Sequence, residues 1–90
     1  MPLPQHVEIP EEVMARQVGD ETVLLDLASG SYFGLDAVGT RIWELLIQGV
    51  PPAEACGTLL KEYDVDADRI AADVERLLGE LAGHGLIRAS

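Results

Sequence analysis

The chain has 90 residues, 48% of them hydrophobic, and a formal net charge of −10 from 16 acidic residues against six Lys and Arg. A chain of this length forms one domain, and its scattered cations exclude the basic surface that nucleic acid or an anionic membrane attracts. A single cysteine excludes an intrachain disulfide, and no run approaches a membrane span or a secretion leader. We therefore expect one cytoplasmic domain over residues 1–90 that binds a peptide or a protein.

The N-terminal third of the sequence predicts three strands in a meander. Residues 1–12 contain three prolines, so we expect an extended lead-in that is flexible over residues 1–6 and has a short edge segment at 7–9. Short apolar runs bounded by glycine-containing turns then predict strands at residues 13–18, 23–27 and 31–35. The intervening turns fall at residues 19–21 and 28–30.

Apolar residues recur at helical spacing after the third strand. They predict three helices, over residues 37–47, 50–63 and 67–82. Asp36 and Asp66 stand at the N-cap positions of the first and third helices, and Gly49 follows the first. Proline in the first turn of the second helix is tolerated. This order of elements predicts an α+β fold, a three-stranded antiparallel sheet followed by three helices.

Titratable groups suited to catalysis are few. His6 lies in the lead-in, His84 lies in the turn that ends the third helix, and Cys56 falls on the apolar stripe of the second. A cysteine without a histidine nearby is more often a buried structural residue than a nucleophile. The two histidines and the cysteine are far apart in the sequence, and their separations do not match those of the ligands in known metal sites. We therefore predict no enzyme activity, no metal site and no cofactor.

The third strand, residues 31–35, is the most informative one. As an outer strand of a meander it leaves a row of backbone N–H and C=O groups unpaired, and only Gly34 interrupts it. Tyr32 and Phe33 face opposite sides of the sheet. Such a strand is able to accept an extended peptide as a further strand. A Leu35→Pro substitution is expected to block that pairing by removing a donor.

Two stretches of the sequence resemble the PqqD-like family, the RiPP recognition elements that bind leader peptides of ribosomally made, post-translationally modified peptides. They are VLLDLASGSYFGLDAVGTRIWELL at residues 23–46 and DVDADRIAADVERLLGELAGHGLI at residues 64–87. The resemblance covers about residues 6–88 and is strongest over residues 32–46. It is closest to the stand-alone leader-binding protein of lasso-peptide biosynthesis and implies a winged helix-turn-helix-like domain.

The resemblance also implies where a peptide binds. In the family a leader peptide pairs with the third strand and lies in the cleft between that strand and the third helix. Carried onto this sequence, the strand positions are Ser31, Tyr32, Phe33, Gly34 and Leu35, and the helix positions are Arg69, Ile70, Asp73, Val74 and Leu77. Ile70, Val74 and Leu77 share one apolar stripe, so each is a candidate for the core as well as for the cleft.

By the same resemblance the chain is a non-catalytic adaptor of lasso-peptide biosynthesis. It would present the leader region, which carries a Tyr-x-x-Pro motif in such systems, to a separate cysteine protease that removes the leader. One alternative within the family is a peptide chaperone for a radical SAM enzyme, as in PQQ biosynthesis. An alternative from a different class of protein, a small winged-helix transcription regulator, is disfavoured by the net charge of −10.

Overall fold

The computed structural model describes residues 3–89 and confirms the predicted α+β fold. In chain order the elements are β1 (Val7–Glu8), β2 (Val13–Val18), β3 (Glu21–Asp26), β4 (Tyr32–Leu35), α1 (Ala37–Ile47), α2 (Pro52–Glu62), α3 (Ala67–Gly83) and β5 (Arg88–Ala89). The main sheet is antiparallel, with the strand order β2-β3-β4. Its three strands and the three helices begin and end within two residues of the predicted bounds.

Glycines in the left-handed region turn the chain between the strands of the main sheet. Gly19 (φ 66°) follows β2, and Gly30 (φ 77°) lies in the loop between β3 and β4. Leu24 of β3 is fully buried against the helices, whereas its neighbour Val23 is 38% exposed. Because side chains alternate along a strand, one face of the sheet packs on the helices and the other faces solvent.

A second sheet joins the two ends of the described chain, and the sequence did not predict its pairing. β1 and β5 pair antiparallel, and Arg88 Nη1 donates to Glu8 Oε1 at 3.4 Å. Leu3 and Val7 are partly buried against the core. Residues 1 and 2 of the predicted flexible lead-in lie outside the described range, and Gln5 and His6 are exposed.

Helices α1 and α3 end in the same motif. After α1, the Gly49 N–H donates to Leu46 O at 3.0 Å and the Val50 N–H donates to Leu45 O at 3.1 Å, while Gly49 has a φ of 84°. These two bonds form a Schellman motif, which satisfies carbonyls at the end of a helix. Gly85, with a φ of 72°, closes α3 in the same way. Each glycine thus stops its helix and turns the chain back onto the core.

The core lies between the inner face of the main sheet and the three helices. Its buried hydrophobic side chains are Leu24, Leu35, Ile42, Trp43, Leu45, Leu46, Ala55, Leu59, Ile70, Val74, Leu78, Leu81, Leu86 and Ile87. Within residues 3–89 the Trp43 indole N–H has no hydrogen-bond partner, so this side chain stabilises the core through apolar packing. None of the helices in that range has the length and apolar character needed to cross a bilayer.

One ion pair connects α1 to α2. Arg41 Nε donates to Glu62 Oε1 at 2.9 Å and Arg41 Nη2 donates to Glu62 Oε2 at 2.7 Å, between side chains that are 30% and 34% exposed. The hydrogen bonds from Arg41 lower the pKa of the Glu62 carboxyl below its ordinary value. The ionised form of Glu62 is therefore the form that the fold stabilises.

We expect Glu62→Gln to lower the thermal unfolding midpoint near neutral pH. Because the folded-state pKa of Glu62 is depressed, its stabilising contribution is present above the unfolded-state pKa and is lost as the pH falls through the folded-state value. The difference between wild type and variant should therefore stay constant from about pH 7 to about pH 5 and shrink as the pH falls below the unfolded-state pKa of about 4.3. Circular dichroism melts across that range measure it, and a difference that does not change with pH would contradict this assignment.

Candidate functional site

β4 is an outer strand of the main sheet, and within residues 3–89 no strand pairs with its second side. The Asp26 N–H donates to Ser31 O at 2.8 Å, just before the first register pair, Leu25 opposite Tyr32. Hydrogen-bonded and non-bonded pairs alternate along an antiparallel ladder. The pair of Tyr32 with Leu25 is therefore of the non-bonded kind, which leaves the backbone groups of Tyr32 pointing away from β3.

The same alternation gives the direction of the backbone N–H and C=O groups in the rest of β4. Phe33 and Leu35 direct their N–H and C=O groups toward β3, and Gly34, like Tyr32, directs its groups outward. The unpaired edge thus offers two donors and two acceptors. A Leu35→Pro substitution, which the sequence suggested as a test of the edge, would instead break the sheet, because Leu35 pairs inward and is only 3% exposed. A proline that tests the edge belongs at Gly34.

A groove of about 420 Å³ runs beside this edge, between β4, the first turns of α1 and one side of α3. The residues that line it are Phe33, Gly34, Leu35, Asp36, Val38, Gly39, Ile42, Arg69, Asp73, Arg76, Leu77 and Glu80. The backbone edge and the groove are therefore adjacent, because Gly34 contributes to both.

Apolar side chains from β4, α1 and α3 line part of the groove. Phe33 of β4 and Leu77 of α3 are partly buried against the core, and Ile42 of α1 is 2% exposed. Gly39 fits closely beside the cap of α1, since a Cβ at that position would lie 3.3 Å from Asp36 Oδ1 and 3.4 Å from Leu35 Cβ and Cδ2. An apolar lining of this kind suits the aliphatic or aromatic side chains of an extended peptide.

The N-terminal end of α1 also borders the groove. Asp36 is the N-cap residue, as predicted, and its Oδ1 accepts a hydrogen bond from the Gly39 N–H at 2.8 Å. This bond fixes the point at which the chain changes from strand to helix. Asp66 occupies the N-cap position of α3, also as predicted, but its side chain makes no capping hydrogen bond within the described chain.

Charged side chains from successive turns of α3 face the groove in the order Arg69, Asp73, Arg76, Glu80. Spacings of three and four residues place them on one side of the helix. Arg76 Nη2 lies 3.7 Å from Asp73 Oδ1, and Arg76 Nε lies 3.9 Å from Glu80 Oε1. Arg69 has no ion pair within residues 3–89. Of the two cations that line the groove, Arg76 has two carboxylates within 4 Å and Arg69 has none among the described residues.

The structure brings six of the ten sequence-predicted site residues into the groove, namely Phe33, Gly34, Leu35, Arg69, Asp73 and Leu77. The side chains of Ile70 and Val74 lie in the core instead, 4% and 1% exposed. Ser31 is exposed in the loop before β4. Tyr32 is 78% exposed on the solvent-facing side of the sheet, near Met14, and only its backbone reaches the free edge.

Six groove residues were not predicted, namely Asp36, Val38, Gly39, Ile42, Arg76 and Glu80. Arg76 and Glu80 continue the helical spacing that starts at Arg69, so the sequence carried a signal for them. The α1 residues line the groove because α1 follows β4 after a single residue. That short connection is visible in the sequence, but the direction in which α1 leaves the strand is not.

The remaining reactive side chains do not form a catalytic arrangement with the groove. Cys56 is half-buried on α2, and burial raises the pKa of its thiol, which disfavours the nucleophilic thiolate. The His84 ring contacts the Phe33 ring with centroids 5.3 Å apart, at the C-terminal end of α3. Residues 3–89 contain no cluster of three or more His, Cys, Asp or Glu side chains placed to hold a metal ion.

Residues 21–87 match the model of a protein family, coenzyme PQQ synthesis protein D (PqqD). A comparison with curated protein sequences returned no match.

Two solved structures are similar to nearly the whole chain. TbiB1 in complex with the TbiA(beta) leader peptide is 41% identical, with 92% of this chain and 96% of that chain covered and a TM-score of 0.87. Lasso peptide synthetase B1 complexed with the leader peptide is 28% identical, with 92% of this chain and 98% of that chain covered and a TM-score of 0.84. The family match extends over most of the chain, from the first residue of β3 into the segment after α3, and the chain therefore belongs to the PqqD family.

Proposed function

We propose that this chain is a non-catalytic adaptor that binds the leader segment of a ribosomally made precursor peptide and presents it to a separate processing enzyme. The observation that carries the proposal is the unpaired edge of β4 lying against a groove that combines apolar side chains with charged ones from α3. A strand edge supplies backbone hydrogen bonds, and an adjacent groove supplies side-chain selectivity. Two similar proteins, TbiB1 and lasso peptide synthetase B1, form complexes with leader peptides, which supports the proposal.

In the proposed complex the leader adds to the main sheet as a further strand beside β4. The outward N–H and C=O groups of Tyr32 and Gly34 bond to its backbone. Alternate side chains of the leader then point into the groove, between Phe33 and Leu77. β4 is only four residues long, so the paired segment is short and the interface is small, which favours release of the peptide after processing.

For the pathway we propose lasso-peptide biosynthesis, with a Tyr-x-x-Pro leader and a separate cysteine protease that removes it. The similarity to lasso peptide synthetase B1 supports this choice. The tyrosine and proline of such a leader would occupy the apolar part of the groove, where Phe33, Ile42 and Leu77 lie.

The matching family model favours a second candidate function, because it is named for coenzyme PQQ synthesis. In that case the chain is a peptide chaperone for a radical SAM enzyme, and the groove holds a different precursor peptide. The two candidates share the edge and the groove and differ in the peptide that is bound. Competition between a Tyr-x-x-Pro leader and a PQQ-type precursor for the same protein distinguishes them.

The test is a fluorescence anisotropy titration of this protein into labelled leader peptides. The probes are the TbiA(beta) leader peptide, a lasso-type leader with Tyr-x-x-Pro, a PQQ-type precursor, and a scrambled version of each. We expect saturable binding of a lasso-type probe, loss of binding when its Tyr or Pro is replaced by Ala, and no binding of the scrambled peptides. Binding of the PQQ-type probe alone would overturn the pathway assignment, and binding of none would overturn the adaptor function.

Leu77→Ala should weaken leader binding by about tenfold, because the removed atoms would otherwise be buried by the peptide. Leu77 is only partly buried in the free protein, so the loss of folding stability should be smaller than at a core position. The matched control is Leu60→Ala on α2, which removes the same atoms from a side chain that is 38% exposed and does not line the groove. Equal binding by the two variants would exclude Leu77 from the site.

A further inference from the structure

We propose that Arg69 selects a carboxylate side chain of the bound peptide, an inference that rests on the proposed function and specifies the peptide it accepts. The groove contains two cations, and their surroundings differ. Arg76 lies within 4 Å of both Asp73 and Glu80, so a carboxylate of the peptide would compete there with two carboxylates of the chain itself. Arg69 lines the same groove and has no ion pair within residues 3–89.

The chemistry of the guanidinium favours a carboxylate as its partner. Its planar fork donates two parallel hydrogen bonds to a carboxylate, which adds geometric selection to the charge attraction. The chain as a whole carries a net charge of −10, so an acidic side chain of the peptide is repelled over most of the surface. Arg69 therefore offers a position at which a carboxylate gains a contact, and a lysine at that position of the peptide would be repelled.

Arg69 lies in the first turn of α3, whereas Leu77 and Glu80 line the groove two to three turns later along the same helix. Val38 and Ile42 of α1 line the groove as well. The proposed contact is therefore made at the N-terminal end of α3, away from Leu77.

Backbone pairing at Tyr32 and Gly34 accepts any extended sequence, and the contact with Arg69 adds the requirement of a carboxylate at one position of the peptide.

The experiment is a charge scan of the TbiA(beta) leader peptide, in which each residue in turn is replaced by Glu and by Lys. Each peptide is titrated by anisotropy into wild-type protein, Arg69→Glu and Lys61→Glu. The last variant is the matched control, since it changes the net charge by the same amount at an exposed α2 position that does not line the groove. For wild type we expect one position at which the Glu peptide binds about tenfold more tightly than the Lys peptide.

At that position the preference should reverse in Arg69→Glu and stay unchanged in Lys61→Glu, which is the sign of a direct pairwise contact. A Glu preference that is the same at all positions, or that shifts equally in both variants, would show a general charge effect and overturn the assignment to Arg69. If leader peptides bind through Gly34 but no position couples to Arg69, only this inference fails. If no leader peptide binds, the proposed function fails as well.

Discussion

Gly34→Pro should weaken leader binding by about 30-fold or more, because it removes an outward N–H and places a ring against the incoming strand. Gly34 belongs to a non-bonded pair with Val23, so its N–H is not used inside the main sheet. Proline is tolerated on an outer strand when its missing N–H faces away from the sheet. The variant is therefore expected to fold, and the same anisotropy titration measures the loss of binding.

The matched control for this prediction is Gly34→Ala. A Cβ at that position would meet no heavy atom within 4 Å among the described residues, and the N–H is kept, so binding should be close to that of the wild type. Replacing glycine at a position that tolerates alanine also tends to stabilise a fold, by about 0.4–1 kcal/mol. If Gly34→Pro folds and binds the leader as tightly as Gly34→Ala does, the leader does not pair with β4.

Leu81→Ala should lower the free energy of unfolding by about 3 kcal/mol, the range expected when a fully buried leucine is truncated in a packed core. Leu81 is 0% exposed, one helical turn after the groove residue Leu77. A fold of this size is marginally stable, with a total of roughly 5–15 kcal/mol, so the loss is a large share of the whole. Urea unfolding followed by circular dichroism measures it.

The contrast with Leu77 makes this result informative. Leu77→Ala is expected to affect binding more than stability, and Leu81→Ala the reverse, when binding is measured on the folded fraction. Both residues lie on α3, four positions apart. A Leu81 variant with wild-type stability would show that α3 does not pack on the sheet as described. A Leu81 variant that folds but cannot bind would show that the groove depends on core packing at this turn.

The order of elements and most of their bounds could be predicted because local signals were strong. Asp36 followed by apolar residues at helical spacing predicted α1, and the structure confirms its cap and both of its ends. The glycine turns predicted the meander for a similar reason, since few other residues adopt a positive φ. The pairing of β1 with β5 joins residues about 80 positions apart, and local patterns do not specify such a contact.

The site was harder to predict than the fold because a single apolar stripe on α3 serves two surfaces. Ile70 and Val74 pack into the core while Leu77 lines the groove, and the three are alike in residue type and spacing. Only the rotation of α3 relative to the sheet separates them. The direction of the Leu35 backbone groups was also hard to predict from the sequence. It depends on which pairs of the β3–β4 ladder are hydrogen-bonded, and the loop before β4 sets that alternation.

The outward backbone groups of β4 come from two residues, Tyr32 and Gly34, and this limits what the edge alone can recognise. Backbone bonds are the same for every sequence, so a leader displaced by two residues would form the same bonds and direct the same set of alternate side chains inward. Such a displaced leader would be held, but it would offer the processing enzyme the wrong peptide bond. The fidelity of cleavage would then depend on the side chains of the groove, which distinguish one frame of the leader from the next. On this view the side-chain contacts in the groove set the position of the leader relative to the enzyme.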